Sequence, residues 1–116
     1  MTNLRNKYGV GVVDPLAVIG SVTTAYHNSA VAAVNDHEIR VSLMTEPYSW
    51  HYHPDSDETF LAIEGELIVE LEETEVILKP GQMLTVPRGA RHRTRPGGRR
   101  SVNLTFERVG AVTVMA

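Results

Sequence analysis

The chain contains no cysteine. That excludes disulfides and thiolate ligands, so any metal site must be built from nitrogen and oxygen donors. It also contains no apolar run approaching the ~18 residues that cross a bilayer. Met1-Thr2-Asn3-Leu4-Arg5 leads into no apolar signal region. The expectation is a cytoplasmic protein with no membrane partner. Positive charge is short as well: 11 Lys and Arg stand against 14 Asp and Glu, a formal net charge of −3. With no RNA-binding motif and no aromatics interleaved among basic residues, nucleic acid is not expected as a partner. No segment is of low complexity.

What is present is enough for one domain. A chain of 116 residues, 42% of them hydrophobic, can bury a single core. Its most informative residues are His51, His53, Glu58 and His92. The first three form H-x-H-x4-E within Trp50-His51-Tyr52-His53-Pro54-Asp55-Ser56-Asp57-Glu58. In a strand, residues i and i+2 project from one face, so His51 and His53 can aim at one point. If the fold brings Glu58 and His92 there, three imidazoles and a carboxylate surround one divalent transition metal, leaving positions open for water or substrate. The plainer alternative is an exposed histidine pair on a loop, which Pro54, Asp55 and Ser56 would suit. Asp55 and Asp57 are rival carboxylates, but alternation turns Asp57 away from Glu58. His27 and His37, beside Asn28 and Asp36, read as turn or surface residues.

Turn signals are dense. Glu64-Gly65-Glu66 separates Thr59–Ile63 from Leu67–Val69; Lys79-Pro80-Gly81-Gln82 and Val86-Pro87-Arg88-Gly89 mark two more turns. Short strands at this spacing argue for an antiparallel sandwich or barrel.

The same residues resemble the motifs of the cupin superfamily. His51, His53, Glu58 and Gly65 match its first motif, with Thr45 in place of the opening glycine. Gly81, Pro87, Gly89 and His92 match its second, with Pro96 in place of the closing asparagine. The spacer Glu66–Pro80 is short, like that of small single-domain bacterial cupins of the RmlC-like type. The resemblance, which spans roughly 36–108, implies an all-β, double-stranded β-helix (jelly-roll) barrel. It also implies that His51, His53, Glu58 and His92 are metal ligands. Residues 1–116 are then one cupin domain, with a barrel core over about 36–109 and an N-terminal arm over 1–35.

Along the arm, Asp14-Pro15 before Leu16-Ala17-Val18-Ile19 reads as an N-cap with proline at N1. Gly20, Thr23 and Thr24 argue against a long helix, so Pro15–Tyr26 is expected as a short or mixed element. Val31–Val34 reads as a short strand ending in a turn. Beyond Glu38 the alternation is regular: Ile39, Val41 and Leu43 oppose Arg40, Ser42 and Met44, and Ser101, Asn103 and Thr105 oppose Val102, Leu104 and Phe106. Which face of the first set lines the cavity stays open.

Six of the eleven cations fall between Arg88 and Arg100. They could form an anion-binding rim. Alternation instead favours Arg91, Arg93 and Arg95 facing outward, in salt links with the acidic strands, when His92 faces inward. Tyr48, Trp50 and Tyr52 flank the histidines and could gate a pocket. Trp50 and Tyr52, pointing away from the histidines, are rather expected at a subunit interface.

The chemistry of such a site leaves the function open. Iron, manganese, nickel, copper or zinc could occupy it. A dioxygenase, an isomerase-like Lewis-acid enzyme, a non-catalytic small-molecule or metal-binding sensor, and a dimer using metal only for stability all remain readings. No general acid or base beyond the ligands is evident. A small-molecule ligand and a homodimer, formed through apolar edges such as Val112–Met115, are the expected partners. Metal affinity is expected to fall as pH drops through about 6, where free histidine titrates.

Overall fold

The computed structural model describes residues 10–116, so the leader reading of Met1 to Arg5 lies outside the described residues. A four-residue helix α1 (Pro15–Val18) precedes ten strands. These are β1 (Tyr26–Val34), β2 (His37–Met44), β3 (His51–Tyr52), β4 (Glu58–Glu64), β5 (Leu67–Leu71), β6 (Glu75–Leu78), β7 (Met83–Val86), β8 (His92–Pro96), β9 (Ser101–Arg108) and β10 (Val114–Met115). All pairings are antiparallel and make two five-stranded sheets, ordered β1-β2-β9-β4-β7 and β10-β3-β8-β5-β6. The expected jelly roll is what forms.

The arm differs in detail from the sequence reading. Asp14 does cap α1, its Oδ1 accepting from Leu16 N at 3.1 Å and Ala17 N at 3.3 Å, with Pro15 in the first turn. The helix then stops after one turn. The strand expected over Val31–Val34 is instead nine residues long. Tyr26 to Val34 pairs with β2 throughout, with a bulge between Ala30 and Ala32. Tertiary pairing outweighs the weak local signal of Asn28-Ser29-Ala30. The two-residue turn to β2 uses Asn35 at φ 54°, a conformation asparagine tolerates.

Two apolar clusters hold the sheets. Between the sheets lie Met44, Phe60, Ala62, Leu67, Val69, Leu78 and Val86. The second cluster, Ile19, Val41, Leu43 and Val102, is on the outer face of the first sheet, roofed by Val18 and Val22 from the arm. This resolves the alternation of β2: Val41 and Leu43 face the arm, and Ser42 and Met44 face inward. A sheet apolar on its outside can afford polar groups within, and the site exploits this.

Gly65, between β4 and β5, has φ 68°, and a Cβ there would lie 2.2 Å from the Arg100 carbonyl oxygen. Backbone cannot yield as a flexible side chain would. Gly65→Ala should therefore destabilise the protein by at least ~2 kcal/mol, from left-handed strain plus the clash. Urea denaturation checks this; an unchanged midpoint would refute it.

Candidate metal centre

Strand register brings the histidines together. His51 lies directly opposite His92 in the β3–β8 pairing, and His53 follows two residues later on the same face. The chain then crosses between the sheets through Pro54–Asp57, and Glu58 opens β4 on the other side. The H-x4-E spacing is the length of that crossing. The crossing is clamped throughout. Asp55 Oδ1 accepts from Val112 N at 3.0 Å, Asp57 Oδ1 from Arg88 N at 2.8 Å, and buried Ser56 Oγ from Arg108 N at 3.0 Å. Asp55 and Asp57 thus serve the loop and leave the cluster to Glu58. Gly89, at φ 80°, donates its N–H to the His53 carbonyl at 2.8 Å, tying the second motif to the first.

One ligand atom from each of His51, His53, Glu58 and His92 lies within 4.8 Å of every other, and all four residues are buried. Each histidine Nδ1 meets a backbone carbonyl: Ser49 at 2.8 Å for His51, Val112 at 3.0 Å for His53, Ala90 at 2.9 Å for His92. A carbonyl only accepts, so each Nδ1 carries the proton and each Nε2 presents its lone pair when the ring is neutral. Such outer bonds orient metal-binding imidazoles. Glu58 Oε1 stands 3.1 Å from His92 Nε2 and 3.2 Å from His53 Nε2. Donors about 2.1 Å from a common ion and at right angles to one another are about 3.0 Å apart, so the spacing suits a metal. His53 Nε2 is buried yet makes no aligned hydrogen bond, not even with the nearby Glu58 oxygen. That orphaned nitrogen is the clearest sign that the donor set fits an ion.

Without an ion, charge settles among these groups. Burial would raise Glu58, but the imidazoles of His53 and His92 hold it down at about 2. The facing Glu58 carboxylate in turn pushes His53 up to about 9 despite burial. Burial pushes His51 below its ordinary value.

The cluster opens onto a cavity of about 470 Å³ lined by residues of both sheets, including Tyr26, Arg40, Tyr48, Phe60, Asn103 and Glu107. Tyr48 packs edge-on against the His51 ring at 5.1 Å, so of the three flanking aromatics it is the one lining the cavity. Trp50 instead lies under the guanidinium groups of Arg91 and Arg93, 4.5 and 5.4 Å from the ring centre. The outward reading of the arginines holds. Arg93 pairs with Glu70 at 2.6 Å, Arg95 with Glu70 and Glu75, and Arg100 with Glu64 at 2.7 Å. His27 is not in a turn: it lies within β1, its Nε2 3.0 Å from Ser29 Oγ. His37 is exposed at the start of β2, beside Asp36.

Glu107 is the residue that sequence reasoning missed. It lines the cavity outside the ligand set, and burial together with the like charge of Glu58 pushes it up to about 7. An acid–base group beyond the ligands is therefore present. The signal available was the polar face Asn103, Thr105, Glu107 at period two, matched across β9–β2 by Ser42, Arg40 and Glu38.

The family model for the cupin domain matches residues 39–105. The chain is a member of the cupin family. Over 101 residues this cupin is 42% identical to the protein YdbB of Bacillus subtilis (strain 168), covering 86% of this chain and 88% of YdbB. The crystal structure of a cupin-2 domain containing protein from Shewanella frigidimarina is similar at a TM-score of 0.77 and 22% identity, over 84% of this chain and 94% of that one. The DMSP lyase DddQ from Ruegeria pomeroyi is similar at 0.70 and 21% identity, over 79% of this cupin but 52% of DddQ. At such identities the two structures establish the fold alone.

The shifts fix a sign for stability. Glu107 binds its proton more tightly when folded, so its contribution is full below its ordinary value of 4.5 and is lost as pH rises through about 7. His53 contributes fully below 6.5 and loses that contribution as pH rises through about 9. His51 works the other way, its depressed affinity costing stability only below 6.5, so chelator-treated protein should melt at progressively lower temperature from about pH 6.5 to pH 9. Glu107→Gln should flatten the start of that decline, near pH 7, and calorimetry across the range would show a rising or flat trend if these assignments were wrong.

Proposed function

We propose that His51, His53, Glu58 and His92 hold one divalent transition metal and that this cupin is a metal-dependent enzyme acting on a small molecule in the adjoining cavity. The observation carrying this reading is the pinning of three Nδ1–H groups on backbone carbonyls, which leaves three Nε2 atoms for an ion beside Glu58, those of His53 and His92 within 3.2 Å of its Oε1. A divalent metal bound there supplies Lewis acidity or, as iron or manganese, access to oxygen chemistry. The ligand set carries one negative charge, so the loaded centre keeps net positive charge for an oxygen-bearing substrate.

Between dioxygenase and isomerase-like Lewis-acid chemistry, Glu107 favours the second. It shares the cavity with the cluster, takes no part in the ligand set, and exchanges its proton near neutrality. Tyr48 and Phe60 wall the site beside His51 and His92 and limit water there. DddQ, by name a DMSP lyase, is one enzyme built on this fold. A non-catalytic binding module is the alternative; Glu107 is what weighs against it. A homodimer belongs to the same proposal. Val112 and Met115, 50% and 55% exposed beside the edge strand β10, are apolar surface that a second subunit would bury. So does a cytoplasmic, single-domain protein, the second part in keeping with the family match over 39–105.

Elemental analysis of untagged protein purified without chelator should find about one transition metal per chain, lost in a His51→Ala, His92→Ala double variant. Chelation should lower the melting temperature, because an ion that binds only the native state stabilises it. No metal in either protein, together with failure to rebind any, removes the metal reading.

A metal titration at pH 7 should release about one proton per ion, since His53 holds a proton up to about 9 and must surrender it to bind. Affinity should fall as pH drops below 9, three units above the window expected of unperturbed histidine. Release that stays at zero from pH 6 to 8 would mean that His53 is not a ligand.

A further inference from the structure

The cavity has a polar floor that the metal centre does not use. Across the β2–β9 pairing, Ser42 stands opposite Asn103, Arg40 opposite Thr105 and Glu38 opposite Glu107, and all six line the cavity. Asn103 and Thr105 are 1% and 3% exposed, and Asn103 Oδ1 and Thr105 Oγ1 have no hydrogen-bond partner among the described residues. Leaving such groups unpaired in a dry interior costs about 1–3 kcal/mol each. Strand propensity would favour apolar residues at both positions. On the neighbouring inward face of β4, Phe60 and Ala62 are apolar, so along the first sheet the polar positions beyond the metal cluster fall on this floor.

Which chemistry fits is set by what the floor offers. Arg40 is already engaged: its Nη1 donates to Glu38 at 2.8 Å and its Nε to Asn28 Oδ1. Among the described residues no uncommitted Lys or Arg faces the cavity, and two carboxyl groups, Glu38 and Glu107, line the same end. A carboxylate or phosphate would find repulsion there. The unpaired groups include an amide oxygen and a hydroxyl, and beside them are carboxyl oxygens. These call for a ligand rich in hydroxyl donors. Met44 and Phe60 supply one apolar patch for a carbon skeleton. The volume, about 470 Å³, lies within the range of about 300–1,000 Å³ typical of small-molecule sites.

We propose that this cavity binds a neutral polyhydroxylated molecule of about the size of a six-carbon ring, its hydroxyls paired with Asn103 Oδ1 and Thr105 Oγ1. The proposal rests on the metal reading only for a further oxygen directed at the histidine cluster; the floor contacts do not need it.

Three probes share one carbon ring and differ in hydroxyl number: cyclohexanol, cis-1,2-cyclohexanediol and myo-inositol. Their binding is measured by calorimetry or ligand-observed NMR, on protein of counted metal content and on the same protein after chelation. Affinity should climb with hydroxyl count, myo-inositol exceeding cyclohexanol by at least about tenfold. Thr105→Val, which keeps the side-chain shape, and Asn103→Leu should each cut that preference by about tenfold. Should Asn103→Leu fail to fold, Thr105→Val still decides. Equal binding of cyclohexanol and myo-inositol, or a preference unchanged by Thr105→Val, overturns the proposal. A hydroxyl preference in protein that neither contains nor takes up metal would uphold the floor and defeat the metal reading. Bound metal without any hydroxyl preference would do the reverse.

Discussion

Burying the Glu58 carboxylate, 6% exposed at the junction of two sheets, would be prohibitive for an isolated charge. It is tolerable because the Nε2 atoms of His53 and His92 stand within 3.2 Å. Those imidazoles are held in turn by carbonyls at Val112 and Ala90, with Ser49 doing the same for His51. Charge compensation at this one point joins the end of β4 to β3 and β8, and fixes where the interior opens into a cavity. Removing any one partner leaves a buried charge or a buried lone pair uncompensated. The same arrangement that makes the cluster a metal-binding geometry therefore makes it a structural junction.

The other organising feature is that the first sheet is covered on both faces. Ile19, Val18 and Val22 from the arm take up the apolar outer face of β2 and β9, so stability at Val41, Leu43 and Val102 does not depend on the barrel interior. The interior can then differ along its length. At one end Phe60, Leu67, Val69 and Leu78 close it as an ordinary core. At the other, Ser42, Asn103 and Thr105 stay buried and polar. A small barrel with a single apolar core could not spare those positions.

How much of this the sequence reveals follows from the range over which each feature is encoded. The paired histidines are legible because strand alternation is local, and Glu58 because the crossing has a fixed length. Gly65 and Gly89 are legible because their backbone conformation demands glycine. The length of β1 is hidden, since it comes from pairing with β2 and not from its own residues. Glu107 and the polar floor are hidden for the same reason. Asn103, Thr105 and Glu107 show only a polar alternation, with no destination for it, until the register sets them against Ser42, Arg40 and Glu38. The two expectations for the arginines could be weighed by alternation alone, because their partners Glu70 and Glu75 lie on the neighbouring β5 and β6.

Charge separation within the cavity is the last consequence of this layout. Each histidine at the cluster has its Nδ1 on a carbonyl, and as a ligand each would give its Nε2 to the ion, so on the proposed reading none would be free to carry protons. A proton carrier must come from another strand. On the proposed reading Glu107 would meet that need from β9, near enough to feel Glu58 as a like charge yet outside the cluster. Its proton affinity is thereby coupled to the occupancy of the cluster. A cation at Glu58 cancels the charge that helps to hold Glu107 protonated, so loading favours its ionised form. If the cluster takes an ion, Glu107 would then be suited to accept a proton from a molecule held in the cavity.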